Sequence, residues 1–123
     1  MSNKKPVVLF VDDEEELVEL MAIRLDDGTF DTLTANSGNQ AAELIRNNKV
    51  DLVVSDVRMP EGSGLDLLNI INKEFNGFPK LIFVSGYSDV GDAEQLKKQG
   101  VIDFLDKPIN FPKLTSLIKA NLH

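Results

Sequence analysis

Two kinds of apolar stretch alternate from one end of this chain to the other. Val7–Val11, Leu52–Val54, Leu81–Val84 and Val101–Leu105 are short runs rich in β-branched and aromatic residues, and Phe30–Ala35 is a more polar version of the same. Runs of this length predict strands, and unbroken ones predict strands buried on both faces of a sheet. Between them apolar residues recur at helical spacing. Leu17, Leu20, Met21 and Leu25 predict a first helix closed by Gly28. Ala41, Leu44 and Ile45 form a second stripe behind a Ser37 and Gln40 pair with capping-box spacing. Leu67, Leu68, Ile71 and Phe75 form a third, ended near Gly77 and Pro79. Val90, Ala93 and Leu96 make the thinnest stripe, before Gly100, and so predict the helix that packs most weakly. Phe111, Leu114, Leu117, Ile118 and Leu122 complete the set, with Asn110 as cap and Pro112 in the first turn.

Strands alternating with helices in this way imply right-handed crossovers and a parallel sheet covered on both faces. The expected fold is α/β, a flavodoxin-like doubly wound five-stranded sheet of order 2-1-3-4-5. At 123 residues the chain makes one domain, expected over 1–123 with no output domain in it. All the strand ends then meet at one edge, where open sheets of this class place their chemistry.

That edge collects every reactive candidate. The first strand runs into Asp12 and Asp13, the third into Asp56, the fourth into Ser85 and the fifth into Lys107. Pro60, Gly62 and Gly64 prevent the Asp56 strand from continuing directly into a helix, which leaves Asp56 open. Acids at the start of the first helix, Glu14 to Glu16, are explained by the helix dipole, but that reading does not need two aspartates at the strand tip. Converging carboxylates repel one another until something neutralises them. Oxygen ligands alone suit a hard cation such as Mg2+, with Asp12 and Asp13 as ligands. Asp56 suits a nucleophile that attacks phosphorus to form an aspartyl phosphate, and Lys107 and Ser85 suit the phosphoryl oxygens.

Composition narrows the alternatives. There is no cysteine, and the single histidine is His123, so thiolate chemistry and histidine catalysis are excluded or improbable. A formal net charge of −7 argues against a nucleic-acid surface. No apolar run reaches the ~20 residues of a membrane span, and the first residues lack a signal-peptide core. A cytoplasmic location with no membrane contact is expected.

In combination these residues resemble the receiver domain of response regulators in two-component signalling. The resemblance rests on Val11-Asp12-Asp13-Glu14, on Asp51-Leu52-Val53-Val54-Ser55-Asp56-Val57-Arg58-Met59-Pro60, on Phe83-Val84-Ser85-Gly86 and on Asp103-Phe104-Leu105-Asp106-Lys107-Pro108. It implies that Asp56 is the phosphoacceptor, charged by a sensor histidine kinase or a histidine phosphotransfer protein. It implies direct Mg2+ ligation by Asp13 and Asp56, help from Asp12 through water, and a further ligand in the backbone carbonyl of Arg58. The Lys107–Pro108 peptide would be cis. Ser85 and Phe104 match a switch pair that alters the surface of the fourth helix, fifth strand and fifth helix, where a downstream protein would bind. Arg58 and Tyr87 stand two residues beyond Asp56 and Ser85, positions from which side chains could restrict the hydrolytic water. Catalysis is expected only of the chain's own phosphoryl transfer and dephosphorylation. Asp92, Glu94, Lys97, Lys98, Lys113 and Lys119 read first as a solvated surface and second as support for a weak homodimer.

Three other functions share parts of this pattern. A flavin or nucleotide binder would cradle phosphate with a glycine-rich loop after the first strand, whereas this chain has Asp12-Asp13-Glu14-Glu15-Glu16 there. A phosphatase working through an aspartyl intermediate would want a carboxylate where Arg58 stands. A degenerate receiver that acts only by binding protein would lack some of the key residues, and here all are present.

Overall fold

The computed structural model describes residues 5–59, 62–85 and 93–122. Its elements are β1 (Val7–Val11), α1 (Glu15–Leu25), β2 (Asp31–Ala35), α2 (Gly38–Asn47), β3 (Leu52–Asp56), α3 (Gly64–Glu74), β4 (Lys80–Ser85), α4 (Ala93–Lys98), β5 (Val101–Asp106) and α5 (Phe111–Ala120). All strand pairs are parallel and the sheet order is β2-β1-β3-β4-β5, the expected topology.

Alternation along the strands feeds two cores. Leu9, Val11, Val53, Leu81 and Phe83 face Ala41, Ala42 and Ile45 of α2, Leu67, Leu68 and Ile71 of α3, and Leu96 of α4. Val8, Phe10, Val54, Ile82 and Val84 face Val18, Met21 and Leu25 of α1 and Leu114 and Ile118 of α5. Every residue of β3 is buried, whereas β2 at the edge is half exposed, which explains why only β2 reads as a mixed polar run. Among the described residues no helix is long and apolar enough to cross a membrane.

The α1 face departs from expectation. Val18, Met21 and Leu25 are buried, whereas Leu20 is 43% exposed and Ile23 74%. Leu17, Leu20, Met21, Ala22, Ile23 and Leu25 surround much of the helix with apolar side chains, so periodicity alone does not choose the buried face. Its end differs too. The helix stops at Leu25, Asp26 is extended, and Gly28 lies two residues further on at φ +85. The carboxylates of Asp26 and Asp27 accept from the Gly28 and Thr29 N–H groups, each at 3.0 Å, so local aspartate turns rather than a glycine cap end the helix.

Caps elsewhere follow the sequence with one displacement. Ser37 Oγ accepts from the Gln40 N–H at 3.1 Å, but Gln40 Oε1 takes the N–H of Asn36 instead of that of Ser37. A full reciprocal box forms at α3, where Ser63 Oγ accepts from the Asp66 N–H and Asp66 accepts from the Ser63 N–H, both at 3.1 Å. Asn110 Oδ1 caps α5 through the Lys113 N–H at 3.0 Å. Val90, proposed for the stripe of α4, lies outside the described residues.

The rotated α1 face is testable. Val18→Ala should cost about 2 kcal/mol and Leu114→Ala about 2–5 kcal/mol, whereas Leu20→Ala should cost less than about 1 kcal/mol. Urea unfolding of the three variants measures this, and a Leu20 cost above that of Val18 would contradict the observed face.

Candidate functional site

Sheet order brings the acids together. β1 and β3 are neighbours with Val11 paired to Ser55, so the residues that follow, Asp12 and Asp56, emerge side by side. Asp56 is itself in register with Val84 of β4, and Ser85 pairs with Asp106 of β5. The Lys107 N–H then donates to the Ser85 carbonyl at 2.8 Å, which extends the β4–β5 ladder by one residue and brings Lys107 to the same rim. The Lys107–Pro108 peptide is cis, as expected, and Phe78–Pro79 is cis as well.

Asp12 is only 1% exposed, although its carboxylate has partners on both oxygens. Oδ1 accepts from the Glu14 N–H at 2.9 Å and Oδ2 lies 3.0 Å from Lys107 Nζ. Asp56 is buried, and its Oδ2 lies 3.1 Å from the same ammonium. Its Oδ1 accepts a long bond, 3.4 Å, from the Arg58 N–H. Asp13 is exposed, and Asp12, Asp13 and Asp56 each offer a carboxylate oxygen within 4.8 Å of the others. Glu14, read in the sequence as a helix cap, also turns its carboxylate to within 3.9 Å of Lys107. An open cleft of about 380 Å³ lined by Asp13, Arg58, Met59 and Ser63 lies beside these acids.

The electrostatics express the crowding. Burial pushes the Asp12 carboxyl up to about 6, and the negative charge of Asp56 adds to the rise. The Glu14 N–H and the Lys107 ammonium pull it the other way without prevailing. For Lys107, burial alone would lower its pKa, but its hydrogen bonds to Asp12 and Asp56 raise it overall and keep the ammonium charged. Three carboxylates and one ammonium leave a net of two negative charges, which one divalent cation would cancel. The donor set is oxygen only and clustered tightly enough for a small hard ion, so these residues fit Mg2+.

The other predicted residues fall into place unevenly. Ser85 is buried at the end of β4. Phe104 is half-buried, in register with Phe83, their ring centroids 6.0 Å apart and tilted by 34°. Tyr87 lies outside the described residues. Lys119 is turned away from the fourth-helix side, 2.6 Å from Asp27 beyond α1. Sequence reading missed Met59 and Ser63 as cleft residues, although the Ser63-Gly64-Leu65-Asp66 spacing is the signal that marks the start of α3.

Known proteins share this sequence pattern and this fold. The response regulator receiver domain family matches residues 8–119. The transcriptional regulatory protein GlrR of Escherichia coli is 37% identical over 110 residues, which is 89% of this chain and 24% of GlrR. The response regulator protein PilR of Pseudomonas aeruginosa is 36% identical over 99% of this chain and 27% of its own length. The chain thus spans about a quarter of these relatives. Because GlrR is a transcriptional regulator by name, the expectation of no direct nucleic-acid contact has no support among the relatives and rests on charge alone. A response regulator receiver protein from Pseudomonas putida superposes with a TM-score of 0.87 at 32% identity, covering 97% of this chain and 99% of that one. A second structure, TrrA of Thermotoga maritima in complex with Mg2+-BeF, has a TM-score of 0.82 at 29% identity and covers 95% of this chain and 99% of that one. With the acidic rim, the sheet order and the family match agreeing, this chain belongs to the receiver domain family of two-component response regulators.

Proposed function

We propose that Asp56 is the phosphoacceptor of this receiver domain and takes its phosphoryl group from a phosphohistidine on a sensor kinase or histidine phosphotransfer protein. One carboxylate oxygen of Asp56 forms the new O–P bond as the P–N bond breaks. The imidazole, protonated on its other nitrogen, leaves as the neutral base. The observation that carries this reading is the shared ammonium: Lys107 Nζ sits between Asp12 and Asp56 at 3.0 and 3.1 Å, within reach of a phosphoryl oxygen on Asp56. Ser85, at the neighbouring strand end, supplies a hydroxyl donor for a second oxygen. Asp12, Asp13, Asp56 and the backbone carbonyl of Arg58 would hold Mg2+, which screens the carboxylates and the incoming phosphoryl charge when bound. The protein's own work is positioning and charge balance, and the chain acts on no other substrate.

Ser85 and Phe104 form the switch in this reading. A hydroxyl drawn to the phosphoryl group frees space that the half-buried Phe104 ring, now against Phe83, can enter. The surface of α4, β5 and α5 then changes its preference for a downstream protein, and for a weak homodimer if one forms there. A phosphorylation-independent binding module is the second reading, and the complete set of Asp12, Asp13, Asp56, Ser85 and Lys107 weighs against it.

Incubation with acetyl phosphate and Mg2+ should add the mass of one phosphoryl group to the wild type and none to Asp56→Asn. An adduct retained by Asp56→Asn, or none on the wild type, would overturn the assignment. Arg58→Ala and Tyr87→Ala should each shorten the phosphorylated lifetime by admitting water, read by the decay of that adduct. Unchanged decay in both would remove the shielding role.

A further inference from the structure

Three close backbone approaches run in series from the start of α2 to the proposed phosphoacceptor. Gly38, the first residue of α2, donates its N–H to the Gly62 carbonyl at 2.8 Å and is buried there. A β-carbon at position 38 would collide with the Gly62 carbonyl group and lie 2.9 Å from the Ser63 carbonyl oxygen. Ser63 caps α3, and Gly64, its first residue, donates to the Val57 carbonyl at 2.8 Å. A β-carbon on Gly64 would collide with the Asp56 carbonyl oxygen and the Phe83 ring. The Asp56 carbonyl also accepts from the buried Ser55 hydroxyl at 2.8 Å. A β-carbon on Gly62 itself, at φ +86, would meet Asn39 Oδ1 at 2.7 Å and the Asn39 backbone nitrogen at 2.9 Å.

We infer that Gly38 is a positioning residue for the phosphoryl site: the missing side chain lets α2 act as a back-stop that presses the start of α3 onto the Asp56 backbone. This inference rests on the role proposed for Asp56. The groups in contact are backbone atoms, which cannot swing aside as a side-chain tip can, so any added bulk at position 38 displaces the Gly62–Ser63 segment. Small residues continue the flat face of α2 at Ala41 and Ala42, which pack in the same core as Val57 and Met59 on either side of Arg58. Displacement of the segment therefore reaches the Asp56 and Arg58 backbone without any change in a charged group.

The test compares Gly38→Ala with Ile45→Val, a core change further along α2 that leaves the Gly62–Ser63 contact alone. Mg2+ affinity by calorimetry, metal-free amide shifts of Asp56 and Arg58 by NMR, and the acetyl phosphate labelling rate are read on both. Gly38→Ala should weaken Mg2+ binding and labelling by roughly tenfold, and it should move both amide shifts. Ile45→Val should leave all three near the wild type even where melting temperatures fall alike. Wild-type values in a folded Gly38→Ala, or equal losses in Ile45→Val, would overturn the inference. Should Gly38→Ala fail to fold, Asn39→Ala loosens the same contact from the other side. A smaller weakening of Mg2+ binding in the same direction is then expected, and an unchanged affinity would overturn the inference. A wild type that takes no label at all counts against the role of Asp56 instead.

Discussion

A carboxylate buried at the end of a central strand, beside a second carboxylate and under a shared ammonium, is the constraint on which this structure turns. Burying Asp12 costs free energy that its hydrogen bonds from Glu14 and Lys107 offset only in part, which is why its carboxyl holds its proton up to about 6. The three carboxylates thus face a single ammonium, a net negative charge that a bound dication would cancel. Lys107 is the element that makes this tolerable, since it pairs with both buried acids at once.

The fold's contribution is to make that arrangement unavoidable. In a parallel sheet of order β2-β1-β3-β4-β5 the strands bearing Asp12, Asp56, Ser85 and Lys107 are consecutive neighbours, so residues up to 95 positions apart in sequence meet at one rim. Helices cover both faces of that sheet, so the central strands present their polar side chains chiefly at their ends. The loops then refine what the strands deliver. The Ser63 and Asp66 box fixes where α3 begins, and the glycines at the starts of α2 and α3 let three backbone segments stack behind Asp56.

Much of this was legible in the sequence because the chemistry and the hydrophobic pattern speak about the same positions. Strands buried on both faces must be unbroken apolar runs, so the ends of β1, β3, β4 and β5 mark the site residues directly. Where burial is one-sided and apolar residues surround the helix, as in α1, pattern does not choose the face, and Val18 replaced Leu20 in the core. Gly28 looked like a helix cap because glycine after an apolar stripe usually is one, but Asp26 and Asp27 ended the helix earlier with their own turns. Contacts between backbones, such as Gly38 on Gly62, leave no side-chain signature beyond the glycine itself and emerge only with the coordinates.

The most direct measurement of the central claim is the titration of the Asp12 carboxyl carbon by NMR, in metal-free protein and again in saturating Mg2+. Burial of Asp12, with the charge of Asp56 beside it, predicts an apparent pKa near 6 without metal, and a marked fall when a dication sits beside the carboxylate and favours its ionised form. An Asp12 that titrates near the ordinary 3.8 in both conditions would contradict it, because neither burial nor the neighbouring carboxylate would then be acting on it.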